Sequence, residues 1–295
     1  MKTLIKNGTV ITADQTRKAD ILVEDEIIHR IEENIEDHDA VLVNASGLLV
    51  LPGGVDPHVH LDLPMFGTIS TDDHYTGGKA AAFGGTTTMI DFVSQEPVSL
   101  ADNIARHRAM ADPKTSIDYS FHMNISHFDE QVAEELPDLP RLGVTSMKVF
   151  TAYNGRLRLD DGNIFKVMRI GGKNNLLTMV HAENGDVIDI LVAEALAAGK
   201  TAPIHHAHTR PAWGEVEASL RAAALAAQAD SPLYLVHMNV GGEVDQLAYA
   251  RRHAIPAMGE TCPQYLFFTE DDLKRPDGAK WICSPPMRKA ADQQG

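Results

Sequence analysis

The sequence predicts an α/β protein in which a small N-terminal β-sandwich part precedes a TIM-like (β/α)8 barrel. After residue 51, short apolar runs alternate with Ala-rich helical stretches, which is typical of βα units around a parallel sheet. The first 51 residues instead hold closely spaced β-rich runs with turn residues between them. We therefore assign residues 1–51 to the sandwich part and residues 52–295 to the barrel.

The N-terminal part is predicted to be built from short strands. Asn7-Gly8 and Glu24-Asp25 stand where hairpin turns are expected. Four or five such strands alone would leave a sheet face and edges uncovered. The predicted strands are residues 3–5, 9–11, 19–23, 27–31 and 40–43.

The barrel region is predicted to contain seven strands and at least three helices. Gly199 follows an apolar helical run, as expected of a glycine that ends a helix. A closed barrel needs eight βα units, so we expect the chain to be a fragment or a truncated form of a longer protein. The predicted strands are residues 51–60, 87–93, 119–125, 146–151, 177–182, 233–238 and 257–262, and the clearest helices are residues 187–198, 215–229 and 243–253.

Composition excludes several classes of partner and location. The formal charge of −15 disfavours binding to nucleic acid or to an anionic membrane. No apolar run reaches the length of about 18 residues that a transmembrane helix needs, and the N-terminus does not resemble a signal peptide. Only two cysteines occur, which favours a reducing cytoplasm over a disulfide-bonded secreted fold.

Histidines at strand ends predict a metal site. His58 and His60 are spaced i and i+2 and therefore share one face at the end of the first barrel strand. His181 and His237 end the fifth and sixth strands, and Lys148 lies on the fourth. Reactive groups of such barrels lie at the C-terminal ends of strands. A single histidine of this kind is more often a hydrogen-bonded core residue, but four at equivalent positions favour metal ligation.

Lys148 has two interpretations. An inward lysine is most simply paired with an acid. Beside two cations, however, burial favours the neutral amine, which reacts with CO2 to form a carbamate. Four histidines and one bridging carboxylate then suit a two-metal site that polarises a carbonyl and generates hydroxide at neutral pH.

Several motifs resemble those of the hydantoinase/dihydropyrimidinase family of cyclic amidohydrolases, within the amidohydrolase superfamily. Ser284-Pro285-Pro286-Met287-Arg288 extends the resemblance to the end of the chain. Gln264 stands where allantoinases and dihydroorotases usually carry histidine. The other matching segments are His58-Val59-His60, Lys148-Val149-Phe150-Thr151-Ala152-Tyr153, Val180-His181-Ala182-Glu183-Asn184, Tyr234-Leu235-Val236-His237 and Gly259-Glu260-Thr261-Cys262-Pro263-Gln264-Tyr265-Leu266.

The resemblance implies a two-metal hydrolase. His58 and His60 would ligate the more buried ion, His181 and His237 the second, and Lys148 would be the bridging N6-carboxylysine. The ions would be zinc, with manganese possible. A bridging hydroxide would open the ring amide of hydantoins or dihydropyrimidines to give N-carbamoyl amino acids. The resemblance also implies a homotetramer.

The resemblance further implies a substrate pocket. Tyr153 would donate its hydroxyl to the substrate carbonyl, and backbone groups at Ser284 would hold the ring amide. The loop after His60 and the segment around Tyr153 would line the pocket for the exocyclic group, although simple loop packing is an equal alternative. The apolar candidates, which favour an alkyl or aryl substituent, are Leu63, Met65, Phe66 and Phe150.

Other segments carry weaker signals. Asp91 and Glu260 lie near strand ends, where they would either orient ligating histidines or hydrogen-bond in the core. The run His205-His206-Ala207-His208 is interpreted as a solvated loop rather than a ligand set. Cys262 is interpreted as a small buried residue and not as a nucleophile.

One departure from the family pattern affects the expected activity. Family members carry a metal-ligating aspartate at the end of strand 8 and a ring-binding asparagine, and neither has a counterpart before Gly295. We therefore expect the 295-residue form to be inactive or nearly so, or to be rescued by association. The alternatives are a non-catalytic dihydropyrimidinase-like assembly protein and an allantoinase or dihydroorotase.

Overall fold

The computed structural model of the protein describes residues 1–65 and 67–295. The side chain of Met65 and all of Phe66 lie outside that description, so their predicted place in a substrate pocket stays a prediction. The chain forms two compact units, residues 1–56 with 80–88 and residues 57–79 with 89–295. In the part of the chain that is described, no helix is both long and apolar enough to cross a membrane.

The first unit is built on a mixed five-stranded sheet. The central strand pairs antiparallel with the second strand and parallel with the fourth and fifth, and the third strand pairs antiparallel with the second. The strands are β1 (Lys2–Ile11), β2 (Thr16–Glu24), β3 (Ile27–Glu32), β4 (Val41–Asn44) and β5 (Leu49–Val50).

The predicted hairpin at Asn7-Gly8 is wrong, because β1 continues through it as one strand. The register with β2 shifts between Ile5 and Gly8, and Asn7 takes φ +66°. This is a β-bulge, which inserts a residue into one strand without reversing the chain. The backbone N–H of Asn7 donates to Asp20 Oδ1 at 2.9 Å, which satisfies a group that the shifted ladder leaves unpaired.

The predicted turn after Glu24 is confirmed. Asp25 and Glu26 both have positive φ, at +47° and +71°, and they connect the antiparallel strands β2 and β3. Two consecutive residues with positive φ match the right-handed twist of the flanking strands, which favours this tight hairpin connection.

The second sheet carries the candidate site. It begins with β6 (Gly54–Val59), after which a small antiparallel hairpin forms from β7 (Pro64–Met65) and β8 (Thr68–Ile69). Seven strands of this sheet are described, in the order β14-β13-β12-β11-β10-β9-β6, and the α/β fold class predicted from the sequence is confirmed. The remaining strands are β9 (Thr86–Val93), β10 (Asp118–Asn124), β11 (Ser146–Phe150), β12 (Leu177–His181), β13 (Leu233–Leu235) and β14 (Ala257–Gly259).

Helices connect these strands. The three helices that the sequence most clearly indicates are confirmed, with ends that differ by at most three residues, and Gly199 has φ +67° as predicted. The α-helices are α1 (His74–Phe83), α2 (Leu100–Ala111), α3 (Glu130–Glu135), α4 (Asp161–Lys173), α5 (Gly185–Ala197), α6 (Ile204–His208), α7 (Ala212–Ala229), α8 (Gly241–Arg252) and α9 (Pro263–Phe267). Short 3₁₀ helices span Leu136–Leu142, Glu270–Lys274, Gly278–Trp281 and Asp292–Gln294.

Strand alternation gives the parallel sheet two different faces. On β11, Met147 and Val149 belong to the large apolar core that includes residues of α4 and α7. Successive side chains in a strand point to opposite faces, so Lys148 faces away from that core. Its side chain reaches the ring of Phe92, which forms a small inner cluster with Met179 and Val236. The candidate site therefore lies on the inner face, above an apolar floor.

Candidate active site

The predicted histidines and Lys148 do come together on the inner face of the sheet. The ring of His58 lies 5.2 Å from that of His60 and 5.4 Å from that of His237, measured between centroids. His237 in turn lies 4.6 Å from His181. The four rings thus form a continuous cluster. We call these four histidines and Lys148 the strand-end cluster.

The first facing pair joins His58 and Lys148. Nε2 of His58 lies 3.1 Å from Nζ of Lys148, while Nδ1 of the same ring contacts the carboxylate of Glu260. Glu260 is fixed by the hydroxyl of Tyr234, which donates to Oε2 at 3.1 Å, and by the backbone N–H of His237. Glu260 therefore orients a predicted ligand, one of the two roles that its position at a strand end indicates.

The second facing pair joins two histidines. Nδ1 of His181 lies 2.9 Å from Nε2 of His237, and Nε2 of His181 contacts the carboxylate of Glu183 at 2.7 Å. A carboxylate on the far nitrogen fixes the tautomer, which leaves the near nitrogen with a lone pair. His237 lacks this support, because its buried Nδ1 has no hydrogen-bond partner among the described residues.

Burial favours the neutral forms of the side chains in the strand-end cluster. Burial and the nearby Lys148 lower the pKa of His58 to about 2 and that of His60 to about 3. Burial also lowers the pKa values of His181 and His237. Lys148 is itself buried, which lowers its pKa to about 7 and makes the neutral amine accessible near neutral pH.

The donor arrangement fits a pair of divalent ions. Neutral imidazole nitrogens face one another or face the amine of Lys148, and two of the rings have a carboxylate on the opposite nitrogen. That is the arrangement by which proteins orient metal-ligating histidines. A carboxylate formed on Lys148 would add an anionic oxygen donor beside His58.

Tyr153 and Phe150 border the strand-end cluster. The ring of Tyr153 lies 4.8 Å from that of His181, and the buried ring of Phe150 lies 5.8 Å from it. Tyr153 has φ +67°, a conformation that bulky residues rarely adopt and that recurs at functional sites. Burial raises the pKa of its hydroxyl, which also interacts with the side chain of Ser284. Three of the predicted substrate residues are therefore close to the cluster.

Leu63 lies further along the loop after His60. It is partly buried, and its backbone N–H donates to Ser70 Oγ at 3.0 Å, which closes the small hairpin of β7 and β8. This geometry fits both a pocket-lining role and simple loop packing, so the assignment stays a prediction.

The interpretation of residues 205–208 as a solvated loop is wrong for His206. The segment is helix α6, and the ring of His206 is partly buried. Its Nε2 lies 2.8 Å from the carbonyl oxygen of Cys283 and 3.2 Å from Ser284 Oγ. His206 therefore holds the segment that carries Ser284, whereas His208 is exposed as expected.

His122 is an inner-face residue that the sequence reasoning missed. Its ring lies 4.8 Å from that of Phe92, and its Nε2 donates to the carbonyl oxygen of Pro57 at 2.9 Å. Nδ1 contacts the side chain of Ser146. Both nitrogens are thus engaged in tying β10 to β6 and β11, which gives His122 a positioning role beside the cluster.

A second group of buried metal-type side chains was also missed. His74, Asp91 and His107 bring one ligand atom each within 4.8 Å of one another. Asp91 precedes Phe92 on β9 and so faces away from the strand-end cluster, toward α1 and α2. We call this group the outer cluster. Its members come from a helix start, a strand and a second helix, and no sequence spacing links them.

Comparisons with known proteins identify relatives over the full chain. No family model matches. A D-hydantoinase from Geobacillus stearothermophilus is 44% identical over 300 residues, covering 100% of this chain and 63% of the relative. The crystal structure of a D-hydantoinase matches with TM-score 0.98 and 45% identity, covering 100% of this chain and 65% of that one. A dihydropyrimidinase from Brevibacillus agri NCHU1002 matches with TM-score 0.97 and 45% identity over 99% of this chain and 64% of that one.

The fold is of the βα-barrel type, and the site is a cluster of histidines and one lysine at the ends of the parallel strands. With these relatives, the chain belongs to the hydantoinase/dihydropyrimidinase family, as its motifs indicate. It spans a little under two thirds of the length of the relatives named above, 63–65%.

Proposed function

We propose that the strand-end cluster serves hydrolysis of the ring amide of hydantoins or dihydropyrimidines to N-carbamoyl amino acids, with two divalent ions that are zinc or manganese. Membership of the hydantoinase/dihydropyrimidinase family supports the reaction class. The proposal rests on one observation, which is that side-chain nitrogens face each other in two pairs. The pairs are His58 with Lys148 and His181 with His237.

The residues proposed to hold the ions are His58, His60, Lys148, His181 and His237. Bound ions would polarise the ring carbonyl and supply hydroxide as the nucleophile at neutral pH. The carboxylates of Glu183 and Glu260 keep the ring orientation of their histidine partners, which is why the geometry supports ligation rather than core packing.

Lys148 is proposed to be carboxylated. The neutral amine nitrogen attacks the carbon of CO2, a C–N bond forms as one C=O π bond breaks, and the N–H proton passes to water to leave the carbamate anion. The buried position of Lys148 and its pKa of about 7 support this step, because the neutral amine is the reactive form. The carbamate would then provide the bridging oxygens.

Tyr153 is proposed to assist the reaction by donating its hydroxyl to the substrate carbonyl oxygen as negative charge develops there. Its raised pKa keeps the proton on the hydroxyl, and its ring lies beside His181. Backbone groups at Ser284 are proposed to hold the ring amide. Leu63, Met65, Phe66 and Phe150 are proposed to accept an alkyl or aryl substituent. A cytoplasmic homotetramer is proposed from the family resemblance alone.

The test examines the site chemistry first and turnover second. The protein is loaded with zinc in the presence of ¹³C-bicarbonate, and a carbamate carbon signal is sought by NMR. We expect one such signal, lost in Lys148→Met and retained in Lys166→Met, which changes an exposed lysine. A wild-type protein that gives no carbamate signal and holds no zinc at the strand-end cluster would favour the non-catalytic alternative.

Turnover is then measured by chromatography of the N-carbamoyl product from hydantoin, 5-phenylhydantoin and dihydrouracil. Allantoin and dihydroorotate are included as competing substrates. Cleavage of either of these in preference to all hydantoins would overturn the substrate assignment while leaving the metal chemistry intact.

A further inference from the structure

We propose that the outer cluster of His74, Asp91 and His107 is a separate binding site for one zinc ion. This site lies on the opposite face of β9 from the strand-end cluster and goes beyond the proposed hydrolase function. All three side chains are buried, with exposed fractions of 0%, 1% and 9%.

The ligand atoms are already close to the spacing that zinc needs. Oδ2 of Asp91 lies 2.9 Å from Nε2 of His107 and 3.3 Å from Nε2 of His74. In a tetrahedral site with bonds of about 2.0–2.1 Å, neighbouring ligand atoms lie about 3.3 Å apart. The two histidine nitrogens lie within 4.8 Å of each other, so side-chain shifts that bring them closer would place one ion between the three ligand atoms.

Hydrogen bonding satisfies the two histidines of the outer cluster unequally. His107 makes a good hydrogen bond to Asp91, whereas Nε2 of the fully buried His74 has only a longer contact with Asp91 Oδ2 and no hydrogen bond of good geometry among the described residues. A buried polar atom without a partner is costly and calls for an explanation. A metal ion between the three groups would accept the lone pair of this nitrogen.

Surrounding contacts orient the proposed ligands as in known metal sites. Oδ2 of Asp62 lies 2.7 Å from Nδ1 of His74, which places a carboxylate on the nitrogen remote from the proposed ion. Lys114 contacts both oxygens of Asp62, at 3.0 and 3.2 Å, and balances its charge. The other oxygen of Asp91 accepts from the backbone N–H of Phe92 at 2.7 Å, which turns Oδ2 toward the histidines.

The donor set selects the class of ion. Two imidazoles and one carboxylate suit zinc and its neighbours among the transition metals, whereas magnesium and calcium prefer sites made of oxygen donors only. Asp91 also accepts from the backbone N–H of Leu61 at 3.3 Å, the residue after His60. A bound ion would therefore join α1, α2 and β9 beneath the start of the substrate loop.

The first test counts zinc ions. The full chain is stripped with a chelator, dialysed against excess Zn²⁺, and its zinc content is measured by mass spectrometry. We expect His107→Phe and His74→Phe each to bind one equivalent less than wild type. The control His127→Gln changes an exposed histidine that also pairs with a carboxylate, Asp129 at 3.0 Å, and should bind as wild type does. Equal zinc content in wild type and both folded Phe variants would overturn the proposal.

The second test does not depend on any variant. Crystals of the wild-type protein grown with Zn²⁺ are measured on both sides of the zinc absorption edge. An anomalous peak between His74, Asp91 and His107 supports the proposal. A map without that peak overturns it, whatever is seen at the strand-end cluster. The hydrolase proposal fails separately, through the absence of ions and carbamate at Lys148.

Discussion

The two histidine clusters, on opposite faces of β9, differ in where their carboxylates lie. In the strand-end cluster, Glu260 and Glu183 contact the far nitrogens of His58 and His181, and the near nitrogens face Nζ of Lys148 and Nε2 of His237. In the outer cluster, Asp91 lies between the two rings and contacts both. Carboxylates behind the rings turn the near nitrogens toward one another, as we propose for two cations, whereas one carboxylate between the rings creates a compact set of three ligands.

The largest expected effect comes from removing the amine of the strand-end cluster. Lys148→Met keeps the length of the side chain but cannot form a carbamate. We expect loss of the bridged pair of ions and a fall of at least about 10³-fold in any cyclic amide hydrolysis, since each polarising ion supplies several kcal/mol. Zinc content and product formation are the measurements.

This variant also tests the independence of the two clusters. Zinc at the outer cluster should remain in Lys148→Met, because Lys148 lies on the other face of the sheet. Loss of all zinc from this variant would contradict two separate sites, and unchanged hydrolysis would contradict the bridging role.

The next largest effect comes from the carboxylate behind His58. Glu260→Gln keeps the shape of the side chain but removes the negative charge that makes the ring a better donor. We expect zinc affinity at the strand-end cluster to fall about 10–100-fold. Competition with a chromogenic chelator measures it. Glu217→Gln is the matched control, because that carboxylate pairs with Arg221 on the exposed side of α7. Equal affinity in the two variants would mean that Glu260 serves packing alone.

The strand-end cluster could be predicted because it follows simple rules of strand geometry. His58 and His60 share a face through their spacing of two, and the ends of parallel strands lie along one edge of the sheet. The position of Lys148 on the fourth predicted strand added the amine, and the family motifs then added Tyr153. The places of both beside the histidines are consistent with the structure. Residues on neighbouring strands could thus be brought together without knowing any loop.

The missed features depend on tertiary packing instead. His74 begins a helix and His107 lies within another, and only the packing of both helices on β9 brings them to Asp91. The bulge at Asn7 was missed because Asn-Gly is also the strongest signal for a hairpin turn. His206 was taken as solvated because its partner Cys283 lies 77 residues further along the chain.

His206 is a partly buried histidine whose surroundings differ from those of both clusters. Burial and the cation of Arg210 lower its pKa to about 4, from an ordinary value of 6.5. The folded state therefore prefers the neutral ring, while the unfolded chain binds a proton below about pH 6.5. Stability from this residue is fully present above that pH and is lost as the pH falls toward 4.

Removing His206 should weaken this pH dependence. Between about pH 7 and pH 5, we expect the free energy of unfolding of wild type to fall by about 1–2 kcal/mol more than that of His206→Gln, after allowance for partial exposure. Urea unfolding at both pH values measures the difference. His208→Gln, on the exposed side of α6, should behave as wild type does. Parallel curves for wild type and His206→Gln would contradict a neutral, buried ring.

The smallest effect expected concerns the hydroxyl that supports Glu260. Tyr234→Phe removes the hydrogen bond to Oε2 but leaves the carboxylate on His58. One such bond contributes about 1 kcal/mol, so zinc affinity at the strand-end cluster should fall only about fivefold, less than in Glu260→Gln. Tyr249→Phe, whose ring is exposed and packs on His253, is the control. Tyr234 acts on His58 through Glu260, so the double variant should lose little more zinc affinity than Glu260→Gln alone. If the losses of zinc affinity added up, Tyr234 would act on the strand-end cluster by a route other than Glu260. The position of the carboxylates would then explain less of the difference between the two clusters.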